Sequence, residues 1–495
     1  MRLPKCCLNL RLCAFRDRLD RFTSNDFGAI LRDGWVYLSG SLLLKSLGFL
    51  SIPVMTRLLA PEDYGILSIF AAYSLIAACL FTLNTHVGIG RYYHEKNDDF
   101  AEYLGTTLLA CLLFLSISFL GILFFQHSLA ELLNIPSFVV LFLIPSSMVS
   151  ICRSIHLQYF RSRKSPKKIR SFNLIVGFSS FIVTISFVYL HPETHRYMGS
   201  LWAGVVILFL VFVFVSKRIY RNIKFRVKKT HLGYMFSYGV PLLPSVIFSS
   251  VLAQSDRVMI AKYQNYEEAG LYSFAFNMGI IMVTLSTPLA NSFSPRYFGL
   301  MREKRYHDHD EAVTKIVGLM SLIACGVILF GEFLGYILGA KEFHKSLYLV
   351  PVIALSQYIM VLIPVYKRHI SFAKKTIFIT GITISTGLIN VWLNYLFIPI
   401  YGSIAAAFTT LFSYLFVLFI TFIVAKYLIR IHVTDPRILL SKASVVGFSC
   451  VYYYIDYFSL NFHLFVEILM KLAVFIFCAK IAIAGFQKND LIEIK

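Results

Sequence analysis

Apolar runs of roughly 20 residues, each long enough for a helix to cross a bilayer, recur along almost the whole chain. Windows of about 19 residues place helices near 34–55, 65–90, 104–126, 138–160, 171–190, 198–216 and 239–261. The second half continues near 270–294, 312–333, 346–366, 376–397, 403–425, 438–456 and 462–484. The pattern predicts an all-α polytopic membrane protein of about 14 transmembrane helices joined by short loops. Composition agrees: 57% of the 495 residues are hydrophobic, 15% are charged and the mean hydropathy is +0.69. A water-soluble domain cannot hide that much apolar surface, and little chain remains for a large soluble enzyme domain.

The charge pattern adds orientation. The formal charge of +21 would point to nucleic acid in a soluble protein. Here the cations alternate with the spans. Counting every second inter-span segment from the N-terminus, one set carries 35 Lys and Arg and the other carries 5. Basic loops stay on the cytoplasmic side and suit anionic head groups. An even number of spans with both termini in the cytoplasm, in the inner (cytoplasmic) membrane, is therefore expected, and nucleic acid is not expected as a partner. The basic N-terminus lacks the apolar stretch and cleavage site of a signal peptide and is expected to stay inside; Cys6 and Cys7 offer acylation sites. None of the nine cysteines has metal-ligand spacing. The organisation expected is a basic segment over 1–33, a six-helix lobe over 34–216 and a basic linker over 217–238. A second six-helix lobe over 239–425, two accessory helices over 426–484 and a tail over 485–495 complete it.

An internal repeat underlies the two lobes. A shift of 205 residues lays RLLAPEDYGILS (57–68) on KYQNYEEAGLYS (262–273), so that Arg57 meets Lys262, Asp63 meets Glu268, Gly65 meets Gly270 and Ser68 meets Ser273. The same shift carries Arg91 onto Arg296, and a shift of 207 lays YFRSRKSPKK (159–168) on YKRHISFAKK (366–375). The shift crosses six spans, an even number, so the copies enter the membrane in the same direction. Such parallel repeats are related by an axis along the membrane normal, with the substrate between them near the midplane.

The segments RLLAPEDYG (57–65), VPLLPSVIFSSVLAQSDRVMIAKY (240–263), EEAGLYSFAF (267–276) and NVWLNYLFIPIYGSIAAAFTT (390–410) carry a family resemblance. Over about residues 34–430 the chain resembles the Wzx-type polysaccharide flippases of the MOP superfamily, which are related to MATE exporters and lipid II flippases. The resemblance implies two lobes arranged as a V and alternating access. The substrate it implies is an undecaprenyl-diphosphate-linked oligosaccharide, an O-antigen or other surface-polysaccharide unit, moved from the cytoplasmic to the periplasmic leaflet. It further implies membrane lipids and a polymerase of the same pathway as partners. For spans 13 and 14 the lipid II flippases suggest a groove for the lipid tail.

A diphosphate and a hydrated glycan must then cross hydrocarbon, which calls for cations facing a cavity. Lys45 lies about 16 Å along the first span, near the midplane, where an unpaired charge costs about 2.5–3.5 kcal/mol or more; it is read as a diphosphate contact, or else as a snorkelling or paired lysine. Arg257 is read as a cavity cation and Asp256 as a structural, gating or ion-coupling residue, because neighbours on a helix point about 100° apart. Arg153 is a further substrate candidate, although it and His156 fall in the cytoplasmic third of span 4, where snorkelling is simpler. Asn390 and Asn394 share a face of span 11 and suit sugar hydroxyls or another helix. Glu467 and Lys471 have the spacing of a mutual pair. The YHDHD run (306–310) resembles a metal cluster, but with no further ligand near in sequence it reads as solvated charge, and no metal site is expected.

Two rivals remain on sequence alone. A polysaccharide polymerase or ligase would need a long external loop for its catalytic residues, and the chain has no phosphate-binding loop or nucleophile elbow, so no enzyme is expected. A MATE-like small-molecule antiporter would favour acidic cavity residues. With no nucleotide site, the resemblance implies coupling to a proton or sodium gradient, with Asp256, Glu332, His86 and His156 as groups able to titrate, and no cofactor.

Overall fold

The computed structural model describes residues 46–95, 99–163, 165–219, 223–430, 432–459 and 464–483, and every regular element among them is helical. The first lobe contains α1 (Ser46–Leu58), α2 (Pro61–Leu80), α3 (Phe100–Leu133), α4 (Leu143–Ser162), α5 (Pro166–Leu190) and α6 (Arg196–Ile219). Then follow α7 (Lys229–Tyr263), α8 (Tyr266–Arg302), α9 (Tyr306–Leu338), α10 (Val350–Phe372), α11 (Thr376–Ile423), α12 (Pro436–Ser459) and α13 (Leu464–Ile483). Eleven helical stretches among the described residues are long and apolar enough to cross a membrane. The difference from the expected number lies at three places. Only Ser46–Leu58 of the first span is described, spans 11 and 12 form one continuous element, and α13 carries Glu467, Lys471 and Lys480.

Local chemistry sets the helix ends. Pro61 opens α2 with Glu62 and Asp63 in its first turn, where a missing N–H costs nothing and carboxylates meet the positive end of the helix. At the repeat-related start of α8, Asn265 caps by accepting from the Glu268 N–H at 2.7 Å, again with two carboxylates in the first turn. Inside α11, Pro399 lacks the donor that an interior helical position needs, and Gly402 takes φ +62°, ψ −139°, a conformation that only glycine adopts readily. The chain reverses there: Asn390 bonds to Ser413 and Asn394 to Thr409, so the two arms run antiparallel with no loop between them.

Consecutive helices alternate in direction and bring the basic connections to one end. There the extended segment 223–228 lies along α3, with the Lys224 N–H on the Ala101 carbonyl at 3.0 Å and the Thr106 hydroxyl on the Arg226 carbonyl at 2.7 Å. The helices run further than their apolar runs: α7 begins at Lys229, ten residues before the expected 239, and α8 reaches Arg302. Polar residues at the ends of these helices project beyond the apolar slab. Around the sides, α3 shows Leu113, Ile117, Leu120 and Phe124, between 54% and 82% exposed, and only five of the 25 residues of α5 are buried. Those stripes face acyl chains. By contrast 15 of the 23 residues of α10 are buried, and it forms the centre of the second lobe.

The basic end is held by a polar latch. Asp99 accepts from the Tyr92 hydroxyl at 2.6 Å, pairs with His231 at 2.8 Å and lies 3.8 Å from the Lys228 ammonium. The Tyr92 and His231 hydrogen bonds hold the Asp99 carboxyl below the usual carboxylate range. A depressed folded-state pKa stabilises the fold above the ordinary carboxylate pKa, and the benefit is lost as pH falls through the lowered value. Asp99→Asn is therefore expected to melt below the native protein at neutral pH, with the gap closing on acidification; a gap independent of pH in melting curves would contradict this.

Candidate transport site

Helices α2 and α8 cross at the end opposite the basic loops, and the contact is reciprocal. A Cβ placed on Gly65 would lie 1.9 Å from the Tyr266 carbonyl oxygen, and one placed on Gly270 would lie 1.9 Å from the Pro61 carbonyl oxygen. Pro61 and Tyr266 stand 205 residues apart, as do Gly65 and Gly270. The repeat copies thus touch each other through equivalent residues, the signature of a two-fold contact. Side chains from both lobes fasten the seam. Arg57 donates to the Ile337 carbonyl at 3.2 Å, Thr56 to the Leu338 carbonyl at 3.1 Å, and Tyr266 to the Asn134 carbonyl at 2.9 Å.

Below the seam, Asp256 and Arg257 are both buried on α7. Their side chains diverge as helical neighbours must. Asp256 accepts from the Tyr272 hydroxyl of α8 at 2.6 Å and from the Arg257 N–H at 2.9 Å. Arg257 bonds to Gln254, and its guanidinium lies 4.6 Å from the centre of the Phe276 ring. Next to it the Asn277 amide of α8 donates to the Tyr64 hydroxyl of α2 at 2.8 Å, across the lobes. In this conformation Arg257 does not face open space but is packed inside the α7–α8 contact, next to the α2–α8 seam.

Asn390 and Asn394 are also buried, and their amides are spent on the protein. Ser255 of α7 donates to Asn390 at 2.9 Å, Asn390 donates to Ser413 at 3.1 Å, and Thr409 donates to Asn394. Of the two partners read for Asn390, sugar hydroxyls or another helix, the structure shows the second: a network that ties α7 to both arms of α11. Burying an amide costs free energy unless it is hydrogen-bonded, and here the bonds are supplied by neighbouring helices.

Arg153 differs from these. It lies nine residues before the end of α4, about 13.5 Å from it, at the border of the expected cytoplasmic third of the helical stretch Ser137–Ser162. It makes no hydrogen bond or ion pair among the described residues. Two cavities meet at its side chain. One, of about 370 Å³, is lined by Gly48 and Ser51 of α1 and Ser180 and Thr184 of α5. The other, of about 220 Å³, is lined by Ser146, Ser150 and Ser200. His156, by contrast, is fully buried with its ring 3.9 Å from that of Phe172, so the expected snorkelling is replaced by aromatic packing. Lys45 lies outside the described residues.

Two features beyond the expected site complete the interior. The Glu467–Lys471 pair on α13 forms as its spacing predicts, at 2.5 Å, but Asp456 of α12 and Glu332 of α9 also approach the ammonium, at 3.3 and 3.6 Å. A third, apolar cavity of about 640 Å³ opens between the arms of α11, walled by Phe397, Tyr401, Phe408 and Phe412.

Comparison with known proteins decides the family. The profile described as "Polysaccharide biosynthesis protein" matches residues 30–301, more than half of the chain. The chain belongs to that family. A relative called an uncharacterized membrane protein in Haemophilus influenzae is 24% identical over 340 residues, covering 66% of this chain and 80% of the relative. A succinoglycan biosynthesis transport protein of Rhizobium meliloti is 23% identical over 278 residues, 55% of this chain and 54% of that one. Among solved structures, lipid II flippase MurJ in an inward closed conformation superposes with a TM-score of 0.67 at 13% identity, over 91% of this chain and 99% of that one. An inward-facing multidrug resistance MATE family transporter of the MOP superfamily gives 0.60 at 13%, over 80% and 97%. The fold is that of these MOP superfamily structures, and the chain is a multi-pass membrane protein of the polysaccharide biosynthesis family.

Proposed function

We propose that the protein flips a lipid-linked oligosaccharide, joined by diphosphate to a polyprenyl carrier, from the cytoplasmic to the periplasmic leaflet of the inner membrane. The observation that carries this reading is Arg153: a guanidinium with no partner among the described residues, about 13.5 Å inside the end of α4, with cavities bearing serine and threonine hydroxyls on both sides of it. A guanidinium presents paired donors to phosphate oxygens, and serine and threonine hydroxyls suit sugars. Lys45, two residues before Leu47 of the larger cavity wall in sequence, is a second candidate for the diphosphate. Arg257 and Asp256 act at the seam, and Asn390 holds the helices that must move together.

Alternating access follows from the reciprocal seam: the Gly65–Gly270 contact closes one end while the basic end opens, and the reverse. The basic end is assigned to the cytoplasm by the loop charges, which puts both termini there. Coupling to a proton or sodium gradient is proposed through Asp256, whose carboxylate joins α7 to α8 beside the seam. Membrane lipids and a polymerase of the same pathway are the proposed partners.

Loss of the protein is expected to leave lipid-linked repeat units on the cytoplasmic leaflet and to deplete surface polysaccharide. Arg153→Ala should lower surface glycan about tenfold or more, the effect of losing one charged phosphate contact worth about 1.5–3 kcal/mol, with Arg153→Lys retaining part. Surface-glycan assay together with leaflet-specific labelling of the lipid-linked unit checks both. Single repeat units displayed normally outside, with only their polymerisation failing, would replace this reading by a polymerase.

A further inference from the structure

The YHDHD run stands only partly in solvent. His309 is fully buried in the first turn of α9, and Asp310 beside it is bonded on both sides. One Asp310 oxygen pairs with His309 Nδ1 at 3.0 Å and the other with His432 Nε2 at 3.1 Å. His432 arrives from the segment before α12, 122 residues away in sequence. We propose that His309, Asp310 and His432 form a site for a transition-metal dication of the zinc type.

Four observations support the assignment. The ligand atoms of His309, Asp310 and His432 all lie within 4.8 Å of one another. Metal–nitrogen and metal–oxygen bonds of about 2.0–2.2 Å put neighbouring ligand atoms of a tetrahedron roughly 3.3–3.5 Å apart, and a small turn of the Asp310 carboxylate, whose two oxygens now meet one histidine each, brings one oxygen between both. Two imidazoles and a carboxylate are also a donor set that suits zinc, cobalt or nickel and not calcium or magnesium.

The third observation is the packing of His309: its ring lies 5.2 Å from that of Tyr297 and 5.9 Å from that of Phe293, which holds Nδ1 toward Asp310. Fourth, the Tyr306 ring stacks on His432 at 4.3 Å and orients it, while His432 and Asp310 remain 33% and 26% exposed and give an ion a way in. Binding would displace the protons now shared with Asp310 and clamp the segment leading into α12 onto α9 of the second lobe.

A second group, His307, Asp308 and Glu311, is close by, but His307 is exposed and Asp308 is taken by Arg305 at 2.6 Å. It serves as the control. The test uses full-length protein in detergent, with any affinity tag removed and stripped with chelator, titrated with Co²⁺ and then back-titrated with Zn²⁺. The expected result is one Co²⁺ per chain with the visible absorption of a low-coordinate ion, displaced by Zn²⁺. His432→Asn and Asp310→Asn should each weaken binding about tenfold or more, and His307→Gln should leave it unchanged. Half-exposed His432 can be replaced without disturbing the core, so a monodisperse His432→Asn protein keeps the test valid even where His309→Gln fails to fold. Binding below one equivalent, binding indifferent to His432→Asn and Asp310→Asn, or binding abolished by His307→Gln would each overturn the site.

Discussion

Gly65→Val is expected to hold the end opposite the basic loops open and to stop transport. The position that a Cβ would take on Gly65 is 1.9 Å from the Tyr266 carbonyl oxygen, and that atom belongs to the first turn of a helix, which cannot step aside as a side-chain tip would. Forcing extra carbon into a packed contact costs about 1–3 kcal/mol. Placed on one of two conformations, that penalty shifts their ratio by roughly 5–150-fold. Gly270→Val should act in the same way, because it meets the Pro61 carbonyl at the same distance. The two substitutions should not add, since both report on one contact. Lys262 lines a cavity of about 470 Å³ at this end, so a thiol at Lys262→Cys, reacted with a membrane-impermeant maleimide, reads the opening. Faster labelling with lost transport is the expected pair of results. Unchanged labelling with normal transport would show that α2 and α8 do not separate during the cycle.

Periodicity carried much of this architecture, and the exceptions share a cause. The IPIYG stretch signalled a break between two apolar runs, and the structure turns it into a hairpin because Pro399 withholds a donor and Gly402 can take positive φ. Asn390 and Asn394 were legible as one helical face, yet sequence could not say whether sugar or helix lay opposite; Ser255, Thr409 and Ser413 do. The repeat register was right at Gly65 and Gly270. The shift of 207 holds at the starts of α4 and α10, Leu143 and Val350, while their ends, Ser162 and Phe372, lie 210 apart.

Depth and partnership were harder to read than helical face. A charge count places Arg153 and His156 on neighbouring turns of α4 but does not separate them: one meets open, hydroxyl-lined space and the other meets Phe160 and Phe172. Similarly, His309 and Asp310 read as solvated because their partner His432 lies on another element. Spacing within one helix reveals i, i+4 pairs such as Glu467–Lys471; contacts between helices depend on which faces the fold brings together.

Lys471→Met is expected to detach the accessory pair α12 and α13 from the second lobe. The ammonium is 1% exposed and stands within 3.6 Å of three carboxylates, those of Glu467, Asp456 and Glu332, drawn from three helices. The rings of Phe333 and Tyr453 lie 4.9 and 5.3 Å from it, adding cation–π attraction in a desolvated setting. Methionine keeps the length and apolar volume but leaves the carboxylates facing one another. Removing one partner of a buried ion pair costs about 3–5 kcal/mol, because the remaining charge is left uncompensated. Asp456→Asn should cost much less, since it removes a negative charge from a site that holds more of them than of positive ones. Glu332→Gln added to Lys471→Met should recover part of the loss by relieving repulsion, so the double variant should be more stable than the single one. Melting temperature in detergent and protease sensitivity of the 424–435 segment before α12 measure the two consequences. A Lys471→Met protein with native melting and a protected segment would show that the ammonium is not what neutralises these carboxylates.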